Sequence, residues 1–373
     1  MVIFLVLSLI RVAFVSSLTT LWIRIKERAQ SPARESSLKF SVLIPVRNEE
    51  DNIIDLLVNL EDQQYRKDLF EVLVIDDHSE DKTAELVESF MGKSTLNLQL
   101  LKMNDSDGTG KKGAITKGIN KAKNEFILAT DGDCSLPKTW IRSYADVYLA
   151  QDAPLMVTGP VRMETEGLLT AVQSMEFSAL IGYGAVSLST GRPGTCNGAN
   201  ISYKKSVFLA VDGYQGNENI PSGDDEFLML KIFRKFNKQI RFNKDTRALV
   251  TTPPKRTGKD LINQRIRWSS KWKFHKSVFI TTSAILFFVD YLFFLIAPLL
   301  ITSINHGLVI ILLTITIRWI VDYYYIINVS RFLRQKVNVF YFIGMQIIYP
   351  VFVIFLGIAS IFGNYQWKGR TYS

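Results

Sequence analysis

Glu125-Phe-Ile-Leu-Ala-Thr-Asp131-Gly132-Asp133 is an apolar run that closes directly on two carboxylates flanking a glycine. A short run of this kind, bounded by turn formers, reads as a buried strand. The same pattern occurs twice upstream. Lys39–Pro45 (KFSVLIP) runs into Val46-Arg47, and Glu71–Ile75 (EVLVI) runs into Asp76-Asp77. Leu96–Leu101 and Leu155–Val161 read as two further strands. Helical spacing fills the gaps. Ile53, Ile54, Leu57, Val58 and Leu60 follow an acidic start at Asn48, Glu49, Glu50 and Asp51, and Thr83–Met91 follows Ser79 and Asp81, either of which can cap it. Ala114–Ala122 and Trp140–Leu149 complete the set. Strands alternating with helices predict an α/β fold with a mostly parallel sheet covered on both faces. Ligands bind such sheets at the carboxyl ends of the strands. Pro45-Val46-Arg47, Asp76-Asp77 and Asp131-Gly132-Asp133 all fall at those ends.

The residue types there suit phosphate and nucleotide chemistry. Asp131 and Asp133 offer hard oxygen ligands for Mg²⁺ or Mn²⁺, which in turn bridge diphosphate oxygens; in a polar loop the same tripeptide is a solvated turn. A carboxylate at Asp76-Asp77 can accept from a base N–H or a ribose hydroxyl, or can cap the following helix. Gly108-Thr-Gly-Lys-Lys-Gly113 places Lys111 and Lys112 in a glycine-rich stretch able to approach phosphates, without P-loop spacing. Ser222-Gly-Asp-Asp-Glu-Phe227 opens an amphipathic helix. Its acids complement the helix N-terminus, and they are also placed for a general base at the mouth of a site. Gln264-Arg-Ile-Arg-Trp268 lies on a basic amphipathic stretch. By composition it is an interfacial helix with Trp and Arg anchors, and an arginine there can also neutralise a diphosphate.

Composition narrows the class. The chain of 373 residues carries 44 Lys+Arg against 35 Asp+Glu, a formal charge of +9, and 47% hydrophobic residues. The basic residues crowd beside apolar segments, which points to an anionic membrane surface; no aromatic-plus-basic pattern points to nucleic acid. Two cysteines, Cys134 and Cys196, give no disulfide framework and fit a reducing compartment. Three scattered histidines argue against His/Cys zinc sites and His-based triads.

Val2 to Ile23 is apolar except for Arg11 and precedes Arg24, Lys26, Arg28 and Arg34. It is long enough to span a bilayer, which takes roughly 20 residues, and it lacks the tripartite build of a cleaved signal peptide. Three apolar blocks follow at the other end: Val278–Thr302, Gly307–Asn328 and Val339–Phe362. Lys271, Lys273 and Lys276 precede the first, and Arg331, Arg334 and Lys336 separate the second from the third. The positive-inside rule puts these clusters, and the polar middle, in the cytoplasm; Lys368 and Arg370 are the exception. Arg318 and Asp322, at i and i+4, are spaced to pair on one helix face. The expected organisation is an N-terminal transmembrane helix (1–23), a cytoplasmic domain (38–255), an interfacial amphipathic helix (256–277) and three C-terminal transmembrane segments (278–362).

Together, Asp77, Asp131-Gly-Asp133, Asp225 and Gln264-Arg-Ile-Arg-Trp268 stand in the order Asp, DxD, Asp, QxxRW before membrane helices. In this the chain resembles, over residues 38–275, the membrane-integrated family 2 glycosyltransferases of the GT-A fold. That branch holds cellulose, hyaluronan, chitin and poly-N-acetylglucosamine synthases and ceramide glucosyltransferases. The resemblance implies a Rossmann-like GT-A catalytic domain between N- and C-terminal transmembrane helices, at a bacterial inner membrane. It implies that Pro45, Arg47 and Glu49 surround the base, that Asp77 beside Asp76 contacts uracil, and that Lys111 serves the donor. It assigns Asp131 and Asp133 to a divalent cation (Mg²⁺ or Mn²⁺) and the diphosphate, with Asp133 the direct ligand. Asp225 is then the catalytic base; Gln264, Arg267 and Trp268 hold diphosphate and border the acceptor; Asn197–Ser202 shapes the sugar pocket. The expected reaction is inverting transfer from a UDP-sugar to a lipid or lipid-linked hydroxyl. A processive polysaccharide synthase acting as an oligomer or with partner subunits is the alternative within the class. A non-catalytic membrane scaffold is the alternative outside it.

Overall fold

A computed structural model describes the chain except residues 28–35, 109, 219, 221, 238, 272–277, 298, 300–306, 363, 364, 368, 369 and 373; no side chain is described at 105, 278–280 or 361–373. The described residues form two compact units. One comprises Lys26–Glu164 and Ser187–Pro253, the other Met1–Ile25, Thr165–Val186 and Pro254–Ser373.

The first unit is built on a seven-stranded sheet. Its strands are β1 (Phe40–Val46), β2 (Phe70–Asp76), β3 (Leu98–Lys102), β4 (Phe126–Ala129), β5 (Met156–Thr158), β7 (Ile201–Lys204) and β8 (Ile240–Phe242), in the order β3-β2-β1-β4-β7-β5-β8. β1 pairs in parallel with β2 from Phe40↔Phe70 to Val46↔Asp76, and with β4 from Phe40↔Phe126 to Leu43↔Ala129. Only β7 runs against its neighbours. The expected mostly parallel sheet is therefore present. Its centre is dry: β2 is buried throughout, and β1 throughout except Pro45, as strands covered on both faces must be. The chain runs from β1 outward through β2 and β3, then returns to lay β4 on the other side of β1. Ligands bind at such a reversal of strand order.

The helices of this unit are α2 (Ile53–Glu61), α3 (Thr83–Met91), α4 (Gly110–Lys121), α5 (Trp140–Tyr148), α7 (Lys205–Ala210) and α8 (Asp224–Phe236). Asp81 Oδ1 accepts from Thr83 N at 2.9 Å, which satisfies an orphan donor at the start of α3. Ile115 and Ile119 of α4 and Leu228, Met229 and Ile232 of α8 pack with Leu43, Ile75, Ile127 and Tyr203 of the sheet into one core.

One expectation is corrected. Leu155–Val161 is not one strand. β5 stops at Thr158, and Val161–Met163 forms β6, which pairs with β9 (Val250–Thr252) in a separate ladder. Pro160 has no N–H for a ladder, and Gly159 lies against Asn200 and Tyr144, where a Cβ would approach both within 2.3 Å. The glycine-rich stretch runs into α4, which starts at Gly110, so Lys111 and Lys112 stand in its first turn.

The second unit is helical: α1 (Val2–Arg24), most of α6 (Leu168–Ser189), α9 (Gly258–Ser270), α10 (Val278–Ile296), α11 (Gly307–Phe332) and α12 (Val339–Phe362). Val2–Arg24, Gly307–Phe332 and Val339–Ser360 are long and apolar enough to cross a membrane. The block expected over Val278–Thr302 gives α10, whose apolar stretch Thr281–Ile296 is shorter; residues 298 and 300–302 lie outside the described residues. Leu308, Val309, Leu312, Leu313, Ile317 and Ile320 of α11 are exposed, an arrangement suited to lipid rather than water. Arg318 departs from the local reading. It donates to Asp290 of α10 at 2.7 Å and to Ser8 of α1 at 3.0 Å, while Asp322 accepts from Arg11 at 2.8 Å.

Candidate active site

Buried strands ending in polar residues bring the acidic motifs of the first unit to one sheet edge. Gly132 sits against the end of β1: a Cβ there would lie 2.9 Å from Val46 Cγ1 and 3.0 Å from Glu49 Cγ. Only a residue without a side chain lets the Asp131-Gly132-Asp133 turn approach so closely. Cys134 N closes the turn onto Asp131 O at 3.2 Å.

Lys111 is the hub. Its Nζ lies 2.6 Å from Asp131 Oδ1 and 3.3 Å from Asp224 Oδ2, with its side chain 19% exposed. Burial works against its ammonium, yet Asp131, Asp224 and Asp225 outweigh burial and hold its pKa above the ordinary lysine value. Asp224 and Asp225 open α8 after Gly223, which takes the left-handed conformation (φ 75°). Asp225 Oδ2 accepts from Gly198 N at 2.7 Å, and Oδ1 accepts from Glu226 N at 2.8 Å. Asn197–Ser202 is therefore fixed to the acidic helix start. Asn200, fully buried, accepts from Trp140 Nε1 and Tyr144 Oη and donates to the carbonyls of Pro160 and Ala248.

The residues assigned to the base are mutually engaged. Arg47 Nη1 donates to the carbonyls of Asp77 and His78, both at 2.9 Å, and Nη2 reaches Glu80. Asp77 Oδ1 lies 3.2 Å from His78 Nδ1, and Oδ2 accepts from Gly110 N at 3.1 Å. Asp76 Oδ1 accepts from Ser79 N, so it caps the turn after β2. Glu49 is buried and accepts from Asn52. Pro45, partly buried, pairs with Ile75 within the ladder.

Asp131 and Asp133 fit a hard cation by donor chemistry, and Asp131 already faces one cation in Lys111. No group of three or more His, Cys, Asp or Glu suited to a metal occurs among the described residues. Two carboxylates suit a small divalent ion that completes its shell with water and phosphate oxygens. Burial, with Asp133 and Asp131 adding to it, pushes the Cys134 thiol well above its ordinary pKa.

The sequence reading placed Lys112 beside Lys111 as able to approach phosphates, but Lys112 is engaged with backbone carbonyls. Its Nζ donates to Asn217 O at 2.6 Å and Ile220 O at 2.8 Å, and burial, against Asp224, Asp225 and Glu218, pulls it down to about 8. Nothing local distinguishes Lys112 from Lys111; only the fold separates their directions. In the helical unit, Gln264, Arg267 and Trp268 lie on α9, with Trp268 centred 6.4 Å from the Phe177 ring of α6.

A mostly parallel sheet with polar residues at successive strand ends defines an α/β domain whose candidate ligand site lies along that edge. The chain belongs to the family 2 glycosyltransferases: it matches Glycosyl transferase family 2 over residues 41–210 and Glycosyl transferase family group 2 over residues 126–334. It is similar to the poly-beta-1,6-N-acetyl-D-glucosamine synthase of Staphylococcus epidermidis, 28% identical over 236 residues that cover 61% of this chain and 53% of that one. It is also similar to the poly(ribitol-phosphate) beta-N-acetylglucosaminyltransferase TarS of Staphylococcus aureus, 37% identical over 108 residues, covering 29% and 18%. The chain thus spans about half or less of the curated relatives it matches. In fold it is like the mannosyltransferase PcManGT of Pyrobaculum calidifontis, solved with GDP-Man and Mn²⁺, at a TM-score of 0.58 and 14% identity, covering 96% of this chain and 99% of that one.

Proposed function

We propose that this chain is a metal-dependent, inverting glycosyltransferase that moves a sugar from a UDP-sugar to a hydroxyl of a lipid or lipid-linked glycan at the cytoplasmic face of a bacterial inner membrane. The observation that carries this is the convergence of Asp131, Asp224 and Asp225 around one partly buried lysine at the switch point of the sheet. Pro45, Arg47, Glu49, Asp76 and Asp77 belong to the base side of the donor, and Lys111 and Asp131 to its diphosphate. Asp133, with Asp131, would hold Mg²⁺ or Mn²⁺, whose charge offsets that of the diphosphate. Asp225 takes the proton of the acceptor hydroxyl while that oxygen bonds to the anomeric carbon. The bond from that carbon to UDP breaks on the opposite face, and its electron pair leaves with UDP. By their motif, Gln264, Arg267 and Trp268 serve the diphosphate and the acceptor.

The domain limits 1–23, 38–255, 256–277 and 278–362 go with this reading. Arg24 at the end of α1 with Lys26 after it, and Arg331 in the last turn of α11 with Arg334 and Lys336 ahead of α12, favour the cytoplasmic face. Three long apolar helices among the described residues favour a lipid-type acceptor over a polymer needing its own passage. A processive synthase is supported instead by the relative from Staphylococcus epidermidis.

UDP release by the detergent-purified chain, with Mn²⁺ or Mg²⁺ across a panel of UDP-sugars, tests the reading. One sugar is expected to give metal-dependent release that Asp225→Asn lowers by about a hundredfold, in the usual range for a general base. Absence of release from every donor, together with no UDP binding by calorimetry, overturns the catalytic reading in favour of a scaffold.

A further inference from the structure

The motif on α9 contains a second arginine that the assignments above do not use. Arg265 is buried at 4% exposure. Its Nε lies 3.1 Å from both carboxylate oxygens of Glu176 on α6, and its Nη2 lies 2.7 Å from Oε2. The remaining nitrogen, Nη1, donates to Gln264 Oε1 at 2.6 Å, and the guanidinium carbon stands 4.2 Å from the centre of the Trp268 ring. One planar cation therefore contacts two of the three motif side chains, with its orientation fixed by a forked pair. Lysine, a point donor, cannot reproduce this.

Glu176 is held in turn. Tyr349 of α12 donates to its Oε1 at 3.2 Å. One turn earlier on α6, the Gln173 amide donates to Lys255 O at 2.8 Å and accepts from Lys255 N at 3.0 Å, gripping the backbone just ahead of α9. Residues three apart share a helix face, so Gln173 and Glu176 form one rail for α9. An adjoining face of α9 is packed by Ile262 and Ile266 against Phe352, Leu356 and Ala359 of α12. In a helix, positions i and i+2 diverge by about 200°, so Arg265 and Arg267 cannot do the same work.

We propose that Arg265 and Glu176 are positioning residues: the forked pair on α6 sets the orientation of Gln264 and of the Trp268 indole. Its kinetic consequence rests on the transferase reading; its geometry does not.

The test uses the full chain in detergent with Glu176→Gln, Arg265→Lys and, as a control on the same helix, Ser178→Ala, whose hydroxyl bonds to Gln335. The emission of Trp268 is isolated in each background by subtracting the matching Trp268→Phe protein. Glu176→Gln and Arg265→Lys are expected to shift and brighten that difference spectrum, with Ser178→Ala unchanged. An unaltered spectrum in both variants, at wild-type elution, overturns the proposal whatever the protein catalyses. In UDP release, Glu176→Gln is expected to lower kcat about tenfold with the donor KM within about twofold, and to add nothing to Trp268→Ala, as coupled residues do. Fully additive losses overturn it. If the wild-type chain releases no UDP, the transferase reading fails and the spectrum alone decides this inference.

Discussion

Asn200 shows how much of a site is settled by a single side chain. It is fully buried, and its amide satisfies Trp140 Nε1, Tyr144 Oη and the carbonyls of Pro160 and Ala248. Asn200→Ala leaves all four without that partner, each in a place water reaches poorly. A loss of at least about 3 kcal/mol is expected, since one stranded buried group alone costs about 1–3 kcal/mol. It is read as a fall in the thermal midpoint of the purified chain. An unchanged midpoint would mean that water replaces the amide. Lys111 makes the opposite kind of contribution, to binding. Because three aspartates hold its pKa above the ordinary value, it stays charged throughout the neutral range. Lys111→Met is therefore expected to raise the donor KM about tenfold or more, by the loss of a charge-assisted contact, with no new pH dependence between pH 6 and 9. Both residues stood in stretches the sequence singled out. The aspartates around Lys111 did too, but the pairing of Asn200 with Trp140 and Tyr144 did not show, because hydrogen bonds between positions 56 to 60 apart leave no mark on local spacing.

At the scale of elements, the strands that run into polar residues were legible because burial on both faces demands unbroken apolar runs, and a polar residue marks where the run leaves the core. β1, β2 and β4 are of this kind. β6 and β9 were not legible: at three residues each, paired outside the main sheet, they carry too little pattern. α6 was missed for a different reason. Its sequence, LLTAVQSMEFSALIGYGAVSLS, has apolar and small residues all round and so shows no single buried stripe. The Asp131-Gly132-Asp133 turn was read correctly as a strand end, while the need for its glycine came only from the fold. A methyl at Gly132 meets Val46 Cγ1 at 2.9 Å and Glu49 Cγ at 3.0 Å, so the turn or the end of β1 must move. Gly132→Ala is expected to weaken UDP binding by about tenfold while the midpoint falls by less than for Asn200→Ala, the strain being confined to one turn. Calorimetric titration with UDP checks this; wild-type affinity would show that the turn yields without displacing Asp131.

The helical unit is assembled from three stretches of chain, and one cluster of charge shows how they are joined. Arg11 of α1 donates to Asp290 of α10 at 3.2 Å, to Tyr291 at 3.0 Å and to Asp322 of α11 at 2.8 Å; Arg318 of α11 closes on Asp290. Gln346 of α12 adds a contact to Asp322 at 3.4 Å. Two arginines and two aspartates balance, so four helices share a buried group without net charge. Read in sequence, Arg11 merely interrupted an apolar segment and Arg318 and Asp322 suggested a local pair. The actual partners lie 279 and 311 residues from Arg11, where spacing rules are silent. The balance makes a prediction with a sign. Arg11→Met removes one positive charge and leaves a buried aspartate short of its partner, which costs about 3–5 kcal/mol in buried pairs elsewhere. The midpoint of the detergent-purified chain should fall sharply. Adding Asp322→Asn restores neutrality, so the double variant should be more stable than Arg11→Met alone, although it has lost one more ion-pairing group. Equal or lower stability of the double variant would show that Arg11 acts through its contacts with Tyr291 and Phe287, over whose rings it lies at 4.8 and 5.5 Å, rather than through charge balance. In the predicted order, α1 is an integral member of the helical unit and holds it together from inside.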